Sequence, residues 1–414
     1  MKRLAALLAY LGCFLAARGL LFASPLLLAS VLPAAEYATM EWALATATLA
    51  SAVLTLGTGS LVPVVLVGSA PAGISLRAIR LHHLAVIALA LAVSATWWLG
   101  LPMAKVGLLL GALSLVALKS TELKSHGQAT ASLLLDALLL ASMAALAWLG
   151  GGPTPIAALS PWLAPLALLL VLAGRALLDL GLREWPVARQ EWVAVIQAGL
   201  PLMVTGALAT LVTTSGRAGV GALLPGDEAA AYSVLSRGAA LPIVAHQALV
   251  VAAYRRLFVV EPASLVRLLL GIVLGVAASA LTLWWLLPAL GWLLGPAFTE
   301  ASGRHPQVLL VLLAQALLWS AIALNDLLNV RHGSSAKVLR WTLPGALLLL
   351  ALAFAAFLLS SRSLQAFVVI HGAAMMVFYL LQCLAMRANG VQVPLLCASV
   401  TAGYLAILGI GLIT

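Results

Sequence analysis

The sequence predicts an all-α polytopic membrane protein, and three observations carry that prediction. Apolar runs of about 20 residues, the length that crosses a bilayer core, follow one another along the chain. Only 8% of the 414 residues are charged and 64% are hydrophobic, whereas ordinary soluble domains carry roughly 25% charged residues. The Lys and Arg residues also collect in alternate loops, the pattern that orients helices in a membrane. No hydrophilic stretch is long enough to form a soluble domain.

Taken in order, twelve spans are predicted: 4–32, 36–67, 82–101, 104–123, 129–149, 158–182, 192–224, 228–257, 265–288, 307–330, 338–359 and 364–386. A thirteenth candidate follows at 393–413. Several exceed bilayer thickness at ~1.5 Å per residue and must tilt, bend or protrude. Gly57–Gly59–Pro63 and Gly199–Pro201 are the expected bending points. The Lys2–Arg3 start resembles a signal peptide, but the apolar run continues to about Leu32 without a small-residue cleavage site, so it is read as the first span.

With the N-terminus cytoplasmic, sixteen of the 22 Lys and Arg fall at the inner face. Arg77, Arg80, Lys119, Lys124, Arg175, Arg183, Arg255 and Arg256 are among them, and only Lys105, Arg304 and Arg362 fall outside. The net charge of +10 therefore reflects topology. It is spread one or two residues per loop and is not the patch that a nucleic-acid partner requires. Trp97–Trp98 and Trp284–Trp285 sit near outer span ends, where aromatic belts form. Cys13, Cys383 and Cys397 all lie in apolar spans, with the spacing of neither a metal site nor a disulfide framework.

The chain repeats itself. Leu28-Ala-Ser-Val-Leu-Pro33-Ala-Ala-Glu36 and Val220-Gly-Ala-Leu-Leu-Pro225-Gly-Asp-Glu228 are offset by 192 residues. Each ends a long span, makes a proline turn with an acid three residues on, and starts another span. Because both end odd-numbered spans, two six-helix lobes of the same orientation are expected around a central cavity, as in parallel-repeat transporters. The predicted organisation is an N-terminal lobe 1–182, a cytoplasmic linker 183–191, a C-terminal lobe 192–386, and a tail 387–414 carrying the thirteenth candidate helix.

Three arginines, Arg18, Arg217 and Arg237, stand inside apolar spans. An Arg at a helix centre costs about 2.5–3.5 kcal/mol on insertion scales, so such residues usually face a water-filled cavity or a partner. Arg18 lies fifteen residues before Pro33, Arg217 eight before Pro225 and Arg237 nine after Glu228. Those separations are roughly 22, 12 and 14 Å along a helix. Bidentate capture of phosphate oxygens from the two lobes is one reading; structural pairing with acids or helix carbonyls is the other. Asp136 and Asp326 are the candidate buried acids, for ion coupling or gating or for structural pairing, and Asp326, beside Asn325 near the cytoplasmic end of its span, reads first as a solvated helix end. Lys119, Glu122 and Lys124 form an inner-end charge cluster. His82–His83, His126 and His332 are expected in inner loops, without metal-ligand spacing. His246–Gln247, Gln315, His371 and Gln382 are polar positions within spans, suited to helix–helix hydrogen bonds or to sugar hydroxyls.

Arg18-Gly19-Leu20-Leu21 with Leu32-Pro33-Ala34-Ala35-Glu36-Tyr37, and Gly199-Leu-Pro201 through Leu224-Pro-Gly226 to Ala231-Tyr232-Ser233, resemble the oligosaccharide flippases of the superfamily that also holds the multidrug and toxin extrusion transporters. The resemblance covers spans one, two, seven and eight, and the rest by hydropathy. It implies a bacterial inner-membrane transporter for a polyprenyl-pyrophosphate-linked oligosaccharide, with membrane lipid and other polysaccharide-assembly proteins as partners and no cofactor. Two alternatives stay open. A cation-coupled multidrug exporter of the same superfamily would often carry an acid in the first span, and residues 4–32 contain none. A membrane O-antigen ligase or polymerase would need clustered catalytic residues in a large outer loop. The longest outer loop, 291–306, offers only Glu300, Arg304 and His305, and no nucleotide-binding loop or metalloprotease motif occurs.

Overall fold

A computed structural model describes residues 2–67, 73–99, 101–150, 155–180, 185–247, 249–250, 262–332 and 334–410. The predicted inner-loop cations Arg183, Arg255 and Arg256 lie outside the described residues. The chain forms α1 (Lys2–Val31), α2 (Ala34–Leu54), a 3-10 turn (Thr58–Leu61), α3 (Val62–Val67), α4 (Leu76–Ser94), α5 (Met103–Ser125), α6 (Ala129–Leu149) and α7 (Pro155–Leu180). It continues through α8 (Trp185–Leu223), α9 (Gly226–Ala239), α10 (Pro262–Leu294), α11 (Pro296–Arg304), α12 (Pro306–Arg331), α13 (Ser335–Leu359), α14 (Leu364–Ala388) and α15 (Pro394–Ile410). Among the described residues there is no strand. Nine helices there are long and apolar enough to cross a bilayer, ten with the bent α8. The protein is an all-α polytopic membrane protein.

Three predicted spans take another form, each for a local reason. The run 36–67 breaks between α2 and α3, where Leu56 (φ 50°) and Gly57 (φ 67°) enter the left-handed region. Glycine adopts that conformation freely, whereas a Cβ makes it costly. The run 192–224 starts earlier, at Trp185, and its segments Trp185–Leu200 and Leu202–Val212 meet at 48°. Pro201 stands at the junction, and its missing N–H interrupts the helical ladder. The run 228–257 is interrupted after Ala239 and helical again at 241–247. There the Ala240 N–H tightens onto the Arg237 carbonyl at 3.2 Å, and Pro242 has no N–H to continue the ladder. The tail helix α15 forms as expected and buries Val400, Tyr404 and Ile407.

The helices group into two compact units, Met1–Ala222 and Leu223–Thr414. This grouping counts α8 with the first unit, whereas the sequence repeat counts it with the second. In the first unit α5 is the central helix, with 72% of its apolar window buried, and it packs against α2, α3, α4, α6 and α7. In the second unit α12 takes that position, 78% buried, against α9, α10, α13, α14 and α15. The order of neighbours recurs: the fourth span of each predicted half touches the second, third, fifth and sixth.

The repeated proline turns also agree in detail. Pro33 caps α2 with φ −55° and ψ 145°, and Pro225 caps α9 with φ −57° and ψ 154°. Each carbonyl accepts the first helical hydrogen bond, from Tyr37 at 3.0 Å and from Ala229 at 2.9 Å. Each motif acid stands in a first turn, where the helix dipole favours it. Each also ties its helix to the start of another one. Lys105, beginning α5, donates to Glu36 at 2.9 Å, and the Leu364 N–H, beginning α14, donates to Glu228 at 2.8 Å.

The first half of α8 docks where α4 begins and α5 and α7 end. Val195 joins a buried cluster with Leu61, Val62, Ala78, Ile79 and Leu118, and Ala188 packs with Leu81 and Leu180. Polar contacts fix its rotation. Arg77 makes a two-pronged contact to Glu191 at 2.8 and 2.9 Å, Ser75 donates to the same carboxylate, and Trp192 Nε1 donates to His82 at 3.1 Å. Next to the 48° bend, the break in α2 nests into α8. A Cβ on Gly57 would lie 2.6 Å from the Gly199 carbonyl oxygen and the Met203 nitrogen.

Candidate functional site

Arg18 lies near the middle of α1, a helix without a proline before Pro25 and without an acid in its first turn. Phe14 precedes it by one turn, on the same face, and the guanidinium sits over that ring, 5.5 Å from its centroid. Its Nε is buried and has no hydrogen-bond partner. Among the described residues no carboxylate pairs with it. Leu15 and Leu20 beside it are exposed, and a Cβ on Gly19 would meet nothing within 4 Å. Arg18 is thus a cation at hydrocarbon depth whose nearest support is one aromatic face.

Arg217 is built differently. Its NH1 donates to Glu41 Oε2 at 3.1 Å, and Tyr37 donates to the other oxygen, Oε1, at 3.2 Å. Tyr37 and Glu41 are four apart on α2 and share a face. Glu41 is fully buried, while the Arg217 side chain keeps 19% of its exposure. The backbones of α2 and α8 must approach closely to make this pair. Gly221, one turn beyond Arg217, allows it, since a Cβ there would fall 2.5 Å from the Trp42 Cβ.

Glu41 is the residue that the sequence reading missed. A signal was present: Glu41 stands eight residues after Pro33, and Arg217 eight before Pro225, so each is about 12 Å from its own turn. Arg237 lies in the second unit, half-buried in the last turn of α9. Beside it, Gly238 is pressed against Phe298, whose Cε2 a Cβ would approach to 2.3 Å.

The two candidate acids differ from expectation and from each other. Asp136 is not enclosed: its side chain keeps 32% exposure and pairs with Lys124 at 3.3 Å. Asp326 is tied into a small network near the C-terminal end of α12. Gln382 donates to Asp326 at 2.7 Å while accepting from Asn325 at 3.1 Å. Neither acid forms an ion pair with Arg18, Arg217 or Arg237 among the described residues.

The histidines are also relocated. His82 and His83 are buried in α4 rather than exposed in an inner loop, His82 beside Trp192 of α8 and His83 beside the turn that holds Thr58. His82 bonds the Leu54 carbonyl at 2.9 Å, and His83 bonds Thr58 at 3.2 Å. His246 packs edge-on against Trp319, at 5.9 Å, with its Nδ1 unpartnered. His371 bonds Gln315 at 3.2 Å, and Gln315 in turn donates to the Val368 carbonyl at 2.9 Å. These are helix–helix hydrogen bonds of the expected kind. No group of three potential metal ligands occurs among the described residues.

Where α4 begins and α5 and α7 end, these helices bring five charges around a small cavity. Arg80 lies between two carboxylates, Glu122 at 3.0 Å and Asp179 at 3.7 Å. Lys119 adds a second bond to Glu122 at 3.0 Å, and Arg175 a second bond to Asp179 at 3.1 Å. The sequence reading had grouped Lys119 and Glu122. Asp179, a lone acid near a span end, gave no such sign. No protein-family model matches the chain, and no curated protein matches it either.

Proposed function

We propose that the protein is a flippase for an anionic polyprenyl-pyrophosphate-linked oligosaccharide, carrying it from the cytoplasmic to the outer leaflet of a bacterial inner membrane by alternating access. Arg18 carries this reading. A buried guanidinium nitrogen without a protein acceptor, in the middle of an apolar helix, is costly to keep unless something it binds supplies the acceptor. A pyrophosphate is such a group, and it is the part of a lipid-linked sugar that most resists crossing hydrocarbon. The recurrence of helix neighbours and of the proline turns in both halves supports two halves built alike, as alternating access by a parallel-repeat transporter requires.

Under this reading the three arginines play unequal parts. Arg18 receives the pyrophosphate first, because no carboxylate competes for it among the described residues. Arg217 joins when a phosphate oxygen displaces Glu41, and Arg237 contributes from the other lobe. Sugars occupy the hydrated cavity while the polyprenyl tail stays in lipid. One observation favours a second reading, the cation-coupled drug exporter: Glu41 is a fully buried acid, in the second span rather than the first.

Transport by Arg18 variants separates these readings. Arg18→Ala is expected to abolish lipid flipping with the protein still folded, and Arg18→Lys to retain little if bidentate geometry matters. Full flipping by Arg18→Ala would remove Arg18 from the site.

A further inference from the structure

The charged cavity where α4 begins and α5 and α7 end has more donors than its own acceptors can use. Both oxygens of Glu122 are taken, one by Arg80 and one by Lys119. Both oxygens of Asp179 face arginines, one Arg80 and one Arg175. Three cations thus share two carboxylates, and both carboxylates lie deeper than Lys119 and Arg175. Side-chain exposure is 5% for Glu122 and 19% for Asp179, against 34% for Lys119 and 65% for Arg175. Arg80, at 17%, spends its donors inward. The unspent donors are therefore on the rim: two N–H of the Lys119 ammonium, and the terminal amino groups of Arg175.

The surroundings say what kind of anion fits. Leu115, Leu118 and Leu172 line the cavity below the charges. On α7, Leu170, Val171, Leu177 and Leu178 around Arg175 are exposed by more than half and need lipid to cover them. Arg175 stands five residues from the end of α7, and Lys119 six from the end of α5. That is about 8–9 Å inside the helix ends, where phosphates and glycerol backbones lie. Basic pockets between helices on the cytoplasmic side are recurrent sites for anionic head groups.

We propose that this cavity is a binding site for one anionic phospholipid of the inner leaflet, distinct from the transported lipid. Its phosphate bridges Lys119 and Arg175, and an acyl chain lies along the exposed α7 residues Leu170, Val171, Leu177 and Leu178. The surplus positive charge selects a net-anionic head group over a zwitterionic one. The site does not depend on the flippase reading.

Native mass spectrometry of the purified full chain, titrated with phosphatidylglycerol and with phosphatidylcholine, tests it. Phosphatidylglycerol is expected to be retained in preference. Arg175→Gln and Lys119→Gln are each expected to weaken it roughly fivefold, and the double variant about 30-fold. Arg175→Gln changes an exposed side chain and should fold, Arg175→Lys should bind nearly as wild type, and Arg304→Gln, an exposed arginine at the other membrane face, should bind unchanged. Equal retention of the two phospholipids, or no loss in the double variant, would overturn the site. Displacement by millimolar inorganic phosphate would show a free-anion site instead. Preference for undecaprenyl phosphate over phosphatidylglycerol would make the cavity a port for the transported lipid and overturn the proposal as stated.

Discussion

Removing Arg217 is predicted to destabilise the first unit more than removing Glu41, and the asymmetry follows from burial. Arg217→Ala takes the guanidinium from Glu41, which has no exposure and keeps the Tyr37 donor, and breaking a buried pair this way costs about 3–5 kcal/mol. Glu41→Ala leaves a guanidinium that still has 19% exposure and loses one charged hydrogen bond, about 2 kcal/mol. The double variant leaves neither charge uncompensated. Its cost should be about 3 kcal/mol, well below the sum, giving a coupling energy of about 3 kcal/mol. The unit spans Met1–Ala222, and for that size each kcal/mol moves the midpoint about 2–4 °C. Thermal unfolding in detergent, followed by tryptophan fluorescence, should then show Arg217→Ala about 8–16 °C below wild type. Glu41→Ala should fall by about half as much, with the double variant between the two. Strictly additive losses, or a milder effect for Arg217→Ala, would refute the pair as the energetic link between α2 and α8.

Other consequences concern backbone, surface and topology. Gly57→Ala should cost about 2–4 kcal/mol through left-handed strain and overpacking, because its Cβ meets Gly199 and Met203 at 2.6 Å. Gly59→Ala, with nothing within 4 Å, should stay within about 0.5 kcal/mol in the same unfolding assay. Lys105→Ala should cost less than about 1 kcal/mol, since its partner Glu36 keeps 39% exposure; a larger fall in midpoint would show that the outer tie between α2 and α5 is more than a surface pair. Reporter fusions after Arg387 and at Thr414 should give opposite signals if α15 crosses the membrane, and equal cytoplasmic signals if it does not.

Much of this architecture was legible in hydropathy, and the exceptions share a cause. Nine apolar runs could be read because a long helix needs only a continuous apolar composition. The breaks at Leu56–Gly57 and after Ala239 depend on single backbone angles and single prolines, which a window average smooths away. Gly57 and Gly199 were nevertheless visible as bends, since glycine and proline act locally. Lone charges were harder. Asp136 looked buried because its neighbours are apolar, yet it lies within reach of Lys124 from the helix before it. Glu41 drew no reading, because only the approach of α8, permitted by Gly221, encloses it. His82 and His83 read as loop residues, in part because Trp192, beside His82, is more than a hundred positions away in sequence. Arg18 was legible from the start, as an arginine with apolar residues on every side and no acid in its span.

The most direct test of the flippase reading is translocation of a fluorescent undecaprenyl-pyrophosphate oligosaccharide by the purified protein in liposomes, with ethidium efflux measured in parallel. The account predicts lipid flipping by the wild type, its loss in Arg18→Ala, and no ethidium movement in either. Ethidium movement without lipid flipping would contradict it and make Glu41 the centre of a drug-export mechanism.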